Sequence, residues 1–363
     1  YPIETIESIT SKINGAKYFT VLDLDHGFLQ IELDEESSTL CTFTTIWGRY
    51  RFKRLPFGIK SAPEVFQQVI NQIFQDLDGV ITYIDDLLIW GRSLKEHDKR
   101  LKAVLERAKK ESVVFNPNKI QLRVSKVKYL GHILSVNGIA ADPQKVKAIE
   151  EYEKPEKTTS LKRFLGMIQY LSRFIPHLAH KTHHLRKLLT DDEWNWNKEH
   201  EDAFKVLKQE IAKAIQLNYF DPKLHVTMSV DASSFELGAV LMQNDKTIAF
   251  ASRSMTKTEQ RYAQIKKEML AIHFGTTKFH EYLFGHNVTV HTDHKPLVNI
   301  FNKEISKLSP RLQRMRMKLY RYDLDVTYKP GKELFIVDAL SRIKSEEDKE
   351  CKLIDNFEVS TID

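Results

Sequence analysis

Cysteine is nearly missing from this chain. Cys41 and Cys351 are the only two in 363 residues, far apart, and the second falls in a polar tail. That excludes a disulfide-stapled scaffold and fits a reducing compartment. Long apolar runs are missing too. No stretch approaches the ~20 consecutive apolar residues of a membrane-crossing helix, and no secretory leader is visible. The composition is ordinary for a soluble protein, 42% hydrophobic and 29% charged, in a chain long enough for several cores and more than one domain.

Acid and base are unevenly spread. Residues 345–363 hold seven acidic and two basic side chains, so the net +6 divides into −5 in this tail and +11 in the remainder. A moderately basic body suits a nucleic-acid partner. The tail reads as a solvated linker.

The most informative feature is Tyr83-Ile84-Asp85-Asp86, set in an apolar run from Val80 to Trp90. The pattern predicts a β-hairpin, Val80 to Tyr83 and Leu87 to Trp90, with both carboxylates at its bend. Adjacent negative charges beside a buried sheet are costly unless a cation lies between or above them. Hard oxygen ligands suit Mg²⁺, which also coordinates phosphate oxygens. Asp23, at the end of a second short apolar strand (Tyr18 to Leu24), supplies a third carboxylate. Such a set can bridge two ions, one lowering the pKa of an attacking hydroxyl and the other stabilising a leaving oxygen. A lone aspartate at a strand end is ordinarily a turn or helix cap, which does not account for an Asp pair flanked by hydrophobic residues.

Two helices are predicted to support this hairpin. Ser61 reads as the N-cap of a capping box with Glu64, ahead of an apolar stripe of Val65, Phe66, Val69, Ile70, Ile73, Phe74 and Leu77. A second helix, Ser93 to Glu111, turns Leu94, Leu101, Val104, Leu105 and Ala108 inward and its lysines and arginines outward.

These words resemble the reverse transcriptases of gypsy-like (Metaviridae) long-terminal-repeat retrotransposons. Tyr83-Ile84-Asp85-Asp86 resembles their active-site hairpin, and Val21-Leu22-Asp23-Leu24 with Phe28 and Gln30-Ile31 the preceding catalytic block. Leu55-Pro56-Phe57-Gly58-Ile59-Lys60-Ser61-Ala62-Pro63 resembles the nucleotide- and template-contacting block, Tyr129-Leu130-Gly131-His132-Ile133-Leu134 the primer grip, and Phe164-Leu165-Gly166 with Tyr170 to Ile175 the thumb. The order and spacing agree to about Lys344. The resemblance implies that Asp23, Asp85 and Asp86 bind metal, that Phe28 excludes a ribose 2′-OH, and that Phe57 contacts the incoming dNTP. Tyr1-Pro2-Ile3 resembles the middle of the fingers, so the chain reads as a fragment of a Pol polyprotein.

The second half repeats the theme. Strands are predicted at His225 to Asp231, Leu237 to Gln243, Thr247 to Ser252, Val288 to Asp293 and Leu324 to Tyr328, with helices at Thr258 to Phe279 and Glu333 to Arg342. Asp231, Glu268, Asp293 and Asp338 then lie on two strand ends and two helices, the layout of an RNase H-like fold. Asp231-Ala232-Ser233, Gly238-Ala239-Val240-Leu241, Thr292-Asp293-His294-Lys295-Pro296-Leu297 and Asp338-Ala339-Leu340-Ser341-Arg342 resemble the gypsy-like RNase H domain. Four acids can hold two Mg²⁺ ions about a scissile phosphate. No His follows His294, so the histidine loop of retroviral RNases H has no counterpart there. His177, His180, His183 and His184 cluster near Lys181, Arg186 and Lys187; without a nearby cysteine they read as a basic thumb edge touching phosphates, together with Lys162, Arg163 and Arg173, ahead of a zinc site.

The expected fold class is α+β multidomain, a right-hand polymerase followed by a connection and an RNase H-like α/β domain. Expected boundaries are 1–142 for partial fingers and palm, 143–190 for the thumb, 191–223 for the connection, 224–344 for the RNase H-like domain and 345–363 for the acidic tail. The expected cofactor is Mg²⁺, two per site, with Mn²⁺ as a substitute. Expected partners are RNA template, DNA primer, RNA/DNA hybrid, dNTPs and, from the resemblance, protease and integrase as other Pol products, with no membrane. The resemblance implies a cytoplasmic location in virus-like particles, with nuclear entry. Its implied activity is RNA- and DNA-templated DNA synthesis with cleavage of RNA in the hybrid; the alternative is RNase H activity alone, or inactive nucleic-acid binding, if the upstream fingers are essential.

Overall fold

The structure is a computed structural model that describes residues 4–190, 193–212 and 216–331. The chain divides into two compact units, Tyr1–Ile139 and Ala140–Asp363.

The first unit is built on a four-stranded antiparallel sheet. Its order is Val80–Tyr83, Asp86–Gly91, Tyr18–Asp23, Gln121–Val124. The two central strands are apolar at nearly every position because both faces are covered: Phe19, Val21, Leu22, Leu87, Leu88 and Ile89 are all buried. Leu22, Leu87 and Ile89 pack with Phe66, Ile70 and Phe74 of the helix Ala62–Phe74 and with Leu101, Val104 and Ala108 of the helix Leu94–Lys110. Ser93 caps the second helix by accepting from the Glu96 N–H. Ser61 does not cap the first. Its backbone is already right-handed helical (φ −83°, ψ −11°) and its side chain makes no cap bond, whereas a capping serine needs extended geometry to turn its oxygen back. The apolar stripes are also narrower than the spacing suggests, since Val65, Leu94 and Leu105 are exposed.

The second unit contains a five-stranded mixed sheet, ordered Lys246–Ser254, Glu236–Gln243, Val226–Ala232, Asn287–Thr292, Asp323–Tyr328. The first three strands form an antiparallel meander. Helical crossovers then bring the last two in parallel, as parallel pairing requires. The helix Gln264–Lys278 lies on this sheet and buries Met269, Leu270, Ala271 and Ile272 in its core. The long helix expected from Thr258 to Phe279 is broken. A short helix Lys257–Gln260, closed by a Thr256/Glu259 capping box, ends at Arg261, and the chain is extended at Ala263 (ψ 149°) before restarting. The restart lets Gln264 reach back to the sheet, where its amide donates to the Ala232 carbonyl. Ahead of the sheet come the helices Pro143–Glu150, Thr158–Tyr170, Leu178–Lys187 and Lys198–Ala212. The predicted helix carrying Asp338 lies outside the described residues.

Candidate active sites

Register brings the first three carboxylates together. Asp23 stands directly opposite Asp86 across the central strand pair, and the Leu24 N–H donates to the Asp85 carbonyl at 2.7 Å. The hairpin turns through Ile84 and Asp85. Ile84 is held at φ +50°, a costly backbone for a β-branched residue. Gln67 holds it there: its carbonyl accepts from the Ile84 N–H at 2.7 Å and its amide donates to the Thr82 carbonyl and hydroxyl, both at 3.1 Å. Gln67 is only 1% exposed, a buried polar side chain on what the sequence pattern treats as the outer edge of an apolar helix.

Charge accumulates at this turn with little water to screen it. Burial first, then the Asp23 and Asp85 charges, push the Asp86 carboxyl up to about 6, with Lys119 opposing. Asp85 is raised by burial and by Asp23, again against Lys119. The Lys119 ammonium donates to both Asp23 oxygens, at 3.1 and 3.2 Å. Asp85 Oδ1 is buried without a hydrogen-bond partner. Gly27 makes room for it, since a Cβ there would stand 2.1 Å from that oxygen. Beside Gly27, the Phe28 ring meets Phe57 at 5.4 Å and Phe66 at 5.1 Å between centroids. Phe57 is 63% exposed, so the pair presents an aromatic surface to solvent one residue from the carboxylates' glycine.

The second set converges more tightly. Asp231 is on the central strand, Asp293 follows the parallel strand Asn287–Thr292, and Glu268 comes from the second turn of the helix above them. One oxygen from each lies within 4.8 Å of the others, the only such acidic or histidine group among the described residues. Asp293 is exposed and Glu268 is buried at 1%. Burial, with Asp231 and Asp293 adding to it, pushes the Glu268 carboxyl up to about 8. Asp231 is raised by burial and by Asp293, with His177 opposing. Gln264 donates to Glu268 Oε1 at 2.5 Å, while Oε2 is buried without a partner. Asp338 lies outside the described residues.

Both sets suit a hard divalent cation: each is built of carboxylates with one buried oxygen that no described residue satisfies, and in the second set the oxygens also converge within 4.8 Å. Sequence reasoning missed Lys119, Gln67 and Gly27, which stand far from their partners along the chain. Gly27 left a faint signal as a glycine shortly after an acidic strand end. Arg173 was expected at a phosphate-binding edge and is not there. It donates to the Tyr282 hydroxyl at 3.2 Å, and its Nε and Nη1 are buried. His180 and His183 lie on the Phe235 ring, at 5.1 and 4.4 Å. Arg316 is committed to the carbonyls of Ile300, Phe301 and Lys303 at the end of the helix Lys295–Asn302.

Comparison with known proteins bears on the domains that carry these residues. Residues 1–134 match the reverse transcriptase (RNA-dependent DNA polymerase) family, and residues 221–322 match the RNase H-like domain found in reverse transcriptase. The chain is 37% identical over 355 residues to the retrovirus-related Pol polyprotein from transposon 297 of Drosophila melanogaster, covering 96% of this chain and 33% of that protein. It is 32% identical to the Pol polyprotein from transposon gypsy of the same organism, covering 94% and 34%, and 32% identical to the transposon Tf2-3 polyprotein of Schizosaccharomyces pombe, covering 95% and 27%. The chain thus spans about a third of the length of these relatives. Its fold is similar to the foamy viral protease-reverse transcriptase solved in complex with RNA/DNA hybrid, with a TM-score of 0.81 at 20% identity over 91% of this chain and 46% of that one. With two carboxylate clusters in the order of these two domains and similarity along nearly its whole length, the chain belongs to the gypsy-like retrotransposon reverse transcriptases, a reverse-transcriptase domain followed by an RNase H-like domain.

Proposed function

We propose that this chain synthesises DNA on RNA and DNA templates at Asp23, Asp85 and Asp86, and hydrolyses the RNA strand of the resulting hybrid at Asp231, Glu268 and Asp293, with Asp338 as the fourth acid. The observation that carries the reading is the convergence of Asp231, Glu268 and Asp293 within 4.8 Å around a buried, unpartnered Glu268 oxygen. Mg²⁺, or Mn²⁺ in its place, fits both acidic sets and would supply a lowered pKa for the attacking hydroxyl or water and charge neutralisation at the phosphate.

At the first site the chain's own part is placement. Gln67 fixes the strained turn, so Asp85 and Asp86 project from a rigid hairpin opposite Asp23. The Phe28 ring, held between Phe57 and Phe66, is the surface against which a ribose 2′-OH would clash and deoxyribose would fit. At the second site Glu268, with its carboxyl raised to about 8, holds a proton near neutral pH that must leave before its buried oxygen can serve as a ligand. Recognition of the hybrid then rests on its shape and 2′-OH contacts and not on base identity.

The test is extension of a DNA primer on an RNA template with dNTPs and Mg²⁺, followed by the length of the RNA strand. The expected result is a full-length DNA product and shortened RNA, both abolished by EDTA. No extension and no RNA cleavage by the intact chain would sink the proposal.

A further inference from the structure

The helix Leu178–Lys187 is held unusually firmly at its first turn. The Ala179 N–H donates to the Ser252 hydroxyl at 2.9 Å. The buried Glu236 carboxylate accepts from the His180 N–H and from Ser252. A carboxylate at a helix N-terminus is favoured by the helix dipole, yet burying one costs more than a neutral cap would. Leu178, Ala179 and Thr182 are buried beneath the same turn, and His180 and His183 lie on Phe235. These packed side chains and two backbone donors together fix one residue's position, that of His177, which precedes the helix at φ +51°. A non-glycine residue kept in left-handed geometry by its surroundings is a mark of functional placement.

His177 lies at the second carboxylate site. A Cβ built on Gly238 would stand 3.6 Å from His177 Nδ1 and 3.7 Å from its Cε1, so the ring covers this glycine with Nε2 the nitrogen farther from it. Gly238 is directly opposite Asp231 in the antiparallel register. Directly opposed residues present their side chains to the same face, so the imidazole lies on the sheet face that carries the Asp231 side chain. His177 also offsets the upward push on Asp231 from burial and from Asp293, alongside the Ala232 backbone N–H that donates to that carboxylate. A site of three converging carboxylates repels a phosphodiester, and a neutral or cationic N–H donor at its rim would counter that repulsion where the strand enters.

We propose that His177 is a substrate-contacting residue of the RNA-cleaving site, donating from Nε2 to a non-bridging phosphate oxygen of the RNA strand beside Asp231, with Glu236 and Ser252 as its positioning residues. This rests on the assignment of hybrid cleavage to Asp231, Glu268 and Asp293. A phosphate contact made equally before and during the reaction changes KM and leaves kcat nearly alone.

The experiment is steady-state cleavage of an RNA/DNA hybrid at fixed Mg²⁺ by the full chain and by His177→Ala, His177→Gln and Gly238→Val. His177→Ala is expected to raise KM about tenfold with kcat within about threefold. His177→Gln keeps an N–H at the reach of Nε2 and is expected to recover most of the loss. Gly238→Val fills the space the ring occupies and is expected to raise KM as the alanine variant does. An unchanged KM in His177→Ala, a loss confined to kcat, or a glutamine variant no better than alanine would each overturn the assignment. If the unmodified chain does not cleave hybrid at all, the parent reading of the site fails; if it cleaves and His177→Ala matches it, only the role of His177 fails.

Discussion

The two acidic sites of this protein solve one electrostatic problem in different ways. In the first unit, two aspartates on adjacent antiparallel strands and a third in the hairpin turn share a cation from the chain: Lys119 bonds both oxygens of Asp23 and restrains the rise of Asp85 and Asp86. In the second, Asp231, Glu268 and Asp293 converge from two strands and a helix, no lysine among the described residues offsets Asp231 or Glu268, and Glu268 is driven up to about 8. The first site is a half-buried turn whose charge an exposed ammonium offsets. The second draws together an exposed Asp293, a half-buried Asp231 and a buried Glu268 whose carboxyl burial and like charge push up. Strong perturbation by burial plus like charge is the physical mark of a functional carboxylate cluster, and the second site carries more of it.

The largest expected effect separates the two sites outright. Asp85→Asn should lower primer extension by about 10³-fold or more and leave hybrid cleavage intact, and Asp293→Asn should do the reverse. Loss of both activities in either variant would mean that the sites are not independent. A subtler break at the first site comes from Gly27→Ala. The added methyl would stand 2.1 Å from Asp85 Oδ1, displacing the carboxylate and lowering extension by about 100-fold, with cleavage unchanged. Normal extension would show that the turn adjusts without cost.

Proton competition sharpens the contrast further. Ionisation of Glu268 falls below about pH 8, and that of Asp86 only below about 6. Lowering the pH from 8 to 7 should therefore raise the half-saturating Mg²⁺ for cleavage by about fivefold and that for extension by less than about twofold. Equal shifts, measured by Mg²⁺ titration of each reaction, would erase the distinction. The smallest effect is on stability. Folding raises the Glu268 carboxyl from 4.5 to about 8, so the native state binds this proton more tightly than the unfolded chain. Its contribution is best below about pH 4.5 and declines as pH rises towards 8. Glu268→Gln removes that decline and should raise the metal-free melting temperature at pH 8 by about 2–4 °C, while abolishing cleavage. A lower melting temperature would mean that the ionised form is better satisfied than its buried oxygen implies.

Much of this arrangement is legible along the chain. Alternation and apolar runs place the strands that carry Asp23, Asp85, Asp231 and Asp293 to within a residue or two, because a side chain's direction in a strand follows from a period of two. Helix details are less legible. Ser61 has the composition of a capping box, but the preceding turn delivers it in helical geometry, and the restart at Ala263 depends on Gln264 reaching a carbonyl on a distant strand.

What the sequence determined by itself is which residues are acids, which strands and helices bear them, and the family words around them, since these follow from local period and residue chemistry. What only the tertiary structure decided is who stands beside whom. Lys119 meets Asp23 across 96 positions, Gln67 props Ile84, Gly27 yields space to Asp85, and His177 covers the glycine opposite Asp231. Such neighbours are fixed by strand register and packing over long stretches of chain, and the pKa shifts that give each carboxylate its character arise from that shared burial.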